Sequence, residues 1–271
     1  MMSRYLHPST VRLLSLFCCC ITFAARPLPL HAQTADSLSV VRGVEFVKMA
    51  DGVWRHISHL LFEGASVPSN GLIIEAPDEL LMIDTPCNDT QTDSLLRWAK
   101  KTFDKPLRKV IATHAHEDRL GGMATLQRQG IDVMTTPLTA QWAAKRGFAA
   151  PRNPTLPNDT TFRFGRFTVR VLFPGGGHTV DNIVVWIAEP RILVGGCLLK
   201  TASTQSVGFI GDAVLNEWVQ SVRNVAMQFN TATVVVPGHG DTGSTELYQH
   251  TVNIIETYLK RRNENRKRSG G

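Results

Sequence analysis

The sequence predicts an α/β fold in which two sheets pack face to face and helices cover their outer surfaces. Three observations lead there. Beyond residue 40, short apolar runs of strand length alternate with amphipathic stretches of helix length. The chain falls into two halves, each mostly sheet followed by helix. No linker of flexible composition divides the halves, so they share one domain.

Taken in order, residues 44–49, 53–60, 71–75 and 79–84 read as strands, broken by Asp51-Gly52, Ser69-Asn70-Gly71 and Pro77-Asp78. Residues 90–103 read as a helix, with Thr90 and Asp93 suited to its start and Leu96, Ala99 and Phe103 on one face. Strand 107–112 leads into the polar segment His114 to Arg119, a helix near 121–129, a strand 131–135 and a helix 138–146. The stretch 148–159, with Pro151, Pro154 and Pro157, reads as a loop. Further strands are expected over 160–173, 182–188 and 191–195. Trp218, Val222, Val225 and Phe229 make an apolar stripe on a helix over about 213–229. Strand 232–236 and a helix from about 244 to 261 close the chain.

A length of 271 residues with 43% hydrophobic and 19% charged side chains is globular composition, which excludes disordered, collagen-like and coiled-coil chains. The net charge of +6 belongs to the two ends. Residues 1–32 carry Arg4, Arg12 and Arg26 and no acid, and six basic residues from Lys260 onward face only Glu264. Between them, residues 33–259 hold 20 basic against 22 acidic groups, so no basic face for nucleic acid is expected. The basic tail suits the dipole at a helix C-terminus. Arg4 and Arg12 precede the apolar run Leu13 to Ala25, which is too short to span a bilayer but suits a secretory signal. We therefore expect 1–32 to be a cleaved signal peptide and 33–271 a single periplasmic domain, monomeric and without a stable membrane anchor. The cut falls after Ala32 or near Ala24 and Ala25, and an uncleaved anchor is the alternative. Cys18, Cys19 and Cys20 leave with the signal, so Cys87 and Cys197 remain, and an oxidising compartment makes a disulfide between them the competing expectation.

The chemistry concentrates in four segments. Thr113-His114-Ala115-His116-Glu117-Asp118-Arg119 sets two imidazoles two residues apart and a carboxylate two further on, directly after an apolar strand. On a turn leaving a buried strand, that spacing lets all three converge on one small volume, as a zinc site requires. His178 follows Gly175-Gly176-Gly177, Cys197 follows Gly195-Gly196, and His239 lies in Pro237-Gly238-His239-Gly240. His56, His59 and His250 stand outside this order and are expected at the surface or in the core, and the five tryptophans are expected as core or interface rings.

The order HxHxDR, GHTxDN, GGCLxK and GHG resembles the di-zinc, cysteine-ligand subclass of metallo-β-lactamases over essentially the whole chain beyond the signal. The resemblance implies an αβ/βα four-layer sandwich with two mixed central sheets. It implies two Zn2+ per chain, one held by His114, His116 and His178, the other by Asp118, Cys197 and His239. The implied activity is hydrolysis of the β-lactam amide bond of penicillins, cephalosporins and carbapenems, with monobactams poor and a small-molecule β-lactam as the only partner. Asp118 and Lys200 would be catalytic, Lys200 pairing with the substrate carboxylate. Asp84 would be a buried aspartate beneath the ligands, and Asp181 and Asn182 would fix the turn beside His178. Residues 61–68 match a mobile hairpin loop whose Phe62 covers substrate. Two departures matter. Phe209 stands where the family often has an asparagine that helps hold the carbonyl oxygen, so Phe209 is assigned to substrate contact with altered preference. Cys87 stands where tryptophan is common, a spare thiol expected near the pocket rim. Two alternatives remain beside this reading: another exported hydrolase of the same fold, acting on a thioester, lactone or phosphodiester, and a non-catalytic zinc-binding protein. Arg119 and Cys197 speak against the first, and Lys200 against the second.

Overall fold

Side-chain alternation along the strands sorts the apolar residues into three buried layers. In the computed structural model, which describes residues 38–41, 43–149, 151 and 155–269, the central layer joins two sheets. Leu72, Ile74, Leu81, Ile83 and Ile111 of one sheet meet Val169, Val171, Val185, Val194 and Val236 of the other. The strand residues between them point outward: Ile73, Met82 and Val110 meet Leu95, Trp98 and Leu126 of one helical layer. On the opposite side Leu193 and Val235 meet Trp218, Val222, Leu247 and Ile255. Burial on both faces explains why the central strands are continuous apolar runs. The layers are those of the expected αβ/βα sandwich. The expected signal peptide, and residues 150 and 152–154 of the expected loop, lie outside the described residues.

The first sheet runs in chain order: β1 (Leu38–Val41), β2 (Val44–Ala50), β3 (Val53–Phe62), β4 (Ala65–Glu75), β5 (Leu80–Ile83), β6 (Leu107–Ile111) and β7 (Asp132–Met134). It is antiparallel through β5 and parallel from β5 to β7. The crossover α1 (Asp89–Phe103) opens on Asn88, whose side chain accepts the Gln91 N–H, and stops at Asp104 in the left-handed region. Two short helices, α2 (Glu117–Leu120) and α3 (Met123–Arg128), connect β6 to β7, and α4 (Pro137–Lys145) follows, capped by Thr136. The second sheet holds β8 (Asp159–Phe164), β9 (Phe167–Leu172), β10 (Val184–Ile187), β11 (Ile192–Gly196) and β12 (Val234–Pro237), antiparallel except where β12 joins β11. Helices α5 (Leu215–Gln228) and α6 (Glu246–Ser269) cover it.

Several expected boundaries are corrected. Ser69-Asn70-Gly71 is no turn but the middle of β4, paired to Ser58, Ile57 and His56. The hairpin reverses instead at Glu63 and Gly64, both at positive φ as a two-residue hairpin demands, so most of 61–68 is paired strand. Gly71 serves close approach: a Cβ there would stand 2.2 Å from the His56 ring. Expected strand 160–173 is two strands reversing at Gly165, β1 precedes the first expected strand, and the expected helix near 121–129 is α3, preceded by an additional short helix, α2, that carries Asp118. The C-terminal helix carries the basic tail within it, with residues 260–268 exposed, rather than ending before it.

Candidate metal centre

Every candidate ligand lies beyond the C-terminal end of a strand, at one shared edge of the two sheets. His114 and His116 follow β6, His178 follows β9, Cys197 follows β11 and His239 follows β12. Asp118 faces the same point because α2 begins immediately after His116. Overlapping triplets of these six side chains offer donor atoms within 4.8 Å of one another, so they form one continuous cluster.

The close contacts have the scale of a coordination sphere. Asp118 Oδ2 is 3.2 Å from His239 Nε2, Cys197 Sγ is 3.4 Å from Asp118 Oδ2 and 3.3 Å from His239 Nε2. His116 Nδ1 lies 3.2 Å from His178 Nε2. A tetrahedral zinc with N, O and S ligands has ligand-to-ligand edges of about 3.3–3.6 Å, so the atoms fit the ion. His114 Nε2 is buried without a hydrogen-bond partner, which a cation would supply. Burial, then the neighbouring His116, pushes the His114 pKa well below its usual value, and burial with Lys200 does the same to His178. Both imidazoles are thus neutral and ready to ligate. Burial alone would lower the His239 pKa too, but Cys197 and Asp118 raise it to about 10.

Beneath the cluster lies a buried charge lattice. Arg119 is fully buried and directs Nη2 to Asp118 at 2.8 Å, Cys197 Sγ at 3.0 Å and the Gly238 carbonyl at 2.9 Å. Its Nη1 donates to the Asn70 carbonyl at 2.6 Å and to Asp84 at 3.2 Å. Burial favours the protonated form of Asp118, yet Arg119 and His239 hold its pKa well below the carboxylate range. Asp84, at positive φ, accepts the Thr113 N–H at 2.7 Å and hydroxyl at 3.0 Å, fixing the start of the His114 turn; burial raises its pKa to about 6. Asp181 accepts the Ala115 N–H at 3.0 Å, and Asn182 accepts from Thr179 and donates to the Gly175 carbonyl on either side of His178.

A cavity of about 510 Å³ opens over the cluster, with His116, His178, His239 and Asp118 among its lining groups. Leu60, Phe62 and Val67 of the β3–β4 hairpin line it, together with Phe148, Phe209 and Lys200. Phe62 and Phe209 are large exposed apolar side chains, and the Phe209 ring stands edge-on to His116 at 5.7 Å. Lys200 is 9% exposed, its Nζ 5.2 Å from the Trp218 ring centre. Cys87 is not at the rim. It is buried, its sulfur 3.3 Å from Ser58 Oγ of β3, and it forms no disulfide with Cys197. Asp212 and Arg146 carry no signal in the sequence, yet Asp212 Oδ2 lies 2.9 Å from His116 Nε2 and 2.5 Å from Arg146 Nη2. Only the fold brings them together.

Fold and site together define a metal-binding hydrolase of the four-layer sandwich class. The profile of the metallo-beta-lactamase superfamily matches residues 65–239. The chain is 40% identical over 213 residues to the type 2 metallo-beta-lactamase of Bacillus cereus, covering 79% of this chain and 83% of that protein. Among solved structures it is similar to a metallo-beta-lactamase from Pontibacter korlensis, with a TM-score of 0.76, 39% identity, and 79% and 99% of the two chains covered. The FIM-1 metallo-beta-lactamase of Pseudomonas aeruginosa, solved in its mono-zinc form, gives a TM-score of 0.73 at 36% identity over 79% and 96% of the chains. The chain belongs to the metallo-beta-lactamase superfamily.

Proposed function

We propose that the chain is a zinc-dependent β-lactamase that opens the ring amide of penicillins, cephalosporins and carbapenems. The observation that carries this reading is the spacing of 3.2–3.4 Å among the donor atoms of Asp118, Cys197 and His239, beneath a cavity that also presents Lys200. His114, His116 and His178 would hold one Zn2+ and Asp118, Cys197 and His239 the other. Such ions, when bound, lower the pKa of a coordinated water towards about 7 and polarise a carbonyl.

The chain's own residues do the rest. Lys200, desolvated at the cavity wall, offers its ammonium to the carboxylate carried by bicyclic β-lactams. Phe62 and Phe209 line the same cavity and take apolar substituents. Asp118, kept ionised by Arg119, turns Oδ2 toward the point that Cys197 Sγ faces, and the two acids offset cationic charge there. With no side-chain amide at position 209, the developing carbonyl oxygen has no side-chain donor from that residue.

The same reading makes residues 1–32 a cleaved export signal, 33–271 the mature periplasmic domain, and the mature protein a monomer. Two thiols, Cys87 and Cys197, are free and buried, and no helix of the described residues is long and apolar enough to cross a membrane. The test is ring opening of a carbapenem and a cephalosporin by purified protein before and after chelation. Turnover abolished by chelator and restored by zinc is expected. Turnover indifferent to chelator, or none in zinc-loaded protein, overturns the reading.

A further inference from the structure

The chemistry proposed above makes no use of α4, yet the residue that ends this helix reaches the metal-binding turn. Arg146 closes α4 and Gly147 follows at positive φ, turning the chain away and leaving the guanidinium directed toward the cluster. Trp142, one helical turn earlier, supports it with a ring 5.1 Å from the guanidinium carbon. The two arms of the fork then bind different elements. Nη1 donates to the carbonyl of Ala115, the residue between His114 and His116, at 3.0 Å. Nη2 pairs with Asp212 Oδ2 at 2.5 Å.

The same carboxylate oxygen meets His116 Nε2 at 2.9 Å. A carboxylate oxygen paired with a guanidinium is an acceptor, and this one already accepts from Arg146 Nη2. Nε2 must therefore carry the hydrogen. In a neutral imidazole that leaves the Nδ1 lone pair free, and Nδ1 is the atom that faces His178 Nε2 across 3.2 Å. Asp212 itself sits on the loop between β11 and α5, where the Ala213 and Val214 N–H groups bond only to Ile210 and Gly177 carbonyls. Among the described residues its carboxylate is paired with His116 and Arg146.

Building on the function proposed above, we propose that Arg146 is a positioning residue of the metal centre. It holds Asp212 so that Asp212 selects the Nε2–H tautomer of His116 and turns Nδ1 toward the cation. It ties the loop that carries Phe209 to the turn that carries the histidines. Lysine cannot replace it fully, because a single ammonium does not present two planar arms to Ala115 and Asp212 together.

The test compares wild-type protein with R146A, R146Q and R146K. Nitrogen-15 correlations of the His116 ring in metal-free protein report the tautomer, and transfer of zinc from loaded protein to a chromogenic chelator reports retention. Wild type is expected to show one tautomer, protonated at Nε2. R146A and R146Q are expected to show mixed tautomers and about tenfold faster zinc transfer, with R146K between. Placed on a D212N background, R146A is expected to add little further, since it acts through Asp212. Wild-type tautomer and transfer rate in both R146A and R146Q overturn the proposal; if R146A does not fold, R146Q decides. A wild-type chain that takes up no zinc would defeat the proposed function instead, and the ring measurement in metal-free protein would still decide whether Arg146 orients His116.

Discussion

Arg119 Nη2 and Cys197 Sγ, 78 positions apart in the chain, meet at 3.0 Å with both residues buried. That guanidinium is also the only cation in contact with Asp84 and Asp118 among the described ion pairs of Lys and Arg. Its removal leaves Asp84 buried without a cationic partner and Asp118 with His239 alone. Arg119→Ala is expected to lose about 3–5 kcal/mol of metal-free stability. Denaturant midpoints check this, and zinc is expected to restore part of the loss by binding the folded state. A midpoint within error of wild type would remove Arg119 from its structural role.

Phe209 is half exposed and stands edge-on to His116, so its substitution should leave the fold within about 0.5 kcal/mol of wild type. Phe209→Asn is expected to raise KM roughly tenfold for a cephalosporin with a bulky aryl substituent, through lost apolar contact. A compact carbapenem should be far less affected. Steady-state kinetics on the two substrates decide, and an unchanged ratio of kcat/KM contradicts the assignment.

Much of this centre is legible in the order of the residues. His114, His116 and Asp118 are close in sequence, and His178, Cys197 and His239 each follow a strand and a glycine, so the donor set needs only the strand ends to share an edge. The hairpin is less legible because Ser69-Asn70-Gly71 has turn composition. Asn70 is there to donate to the carbonyls of Pro237 and Gly240, and Gly71 to admit the His56 ring. Cys87 is buried against Ser58 of β3, a contact 29 positions away that no local pattern encodes. Asp212 and Arg146 are ordinary charged residues until the loop and α4 meet over His116.

The pH dependence of metal binding follows from His239. Burial opposes its protonation, but Cys197 and Asp118 hold its pKa at about 10, so it is protonated at neutral pH in the metal-free chain. A cation at this site must expel that proton. Affinity there is expected to rise about tenfold per pH unit across the neutral range and to level off above the His239 pKa. Calorimetry in buffers of different ionisation enthalpy should show at least one proton released per cation at this site. Binding with no proton release contradicts the role given to His239.

The two thiols separate the proposed ligand from its bystander. Burial pushes the Cys87 pKa up to about 11, so Cys87 should stay silent to a thiol reagent in native protein with or without metal. Cys197, equally buried but in contact with Arg119 and His239, should react more readily than Cys87 in the metal-free chain and become protected when zinc is added. Protection of neither thiol by zinc would take Cys197 out of the coordination sphere.

The most direct test of the whole account is elemental analysis paired with carbapenem turnover on the same sample of purified chain. Two zinc ions per chain, with turnover falling as they are withdrawn, is the predicted result. A sample that hydrolyses the carbapenem with no bound metal would contradict it.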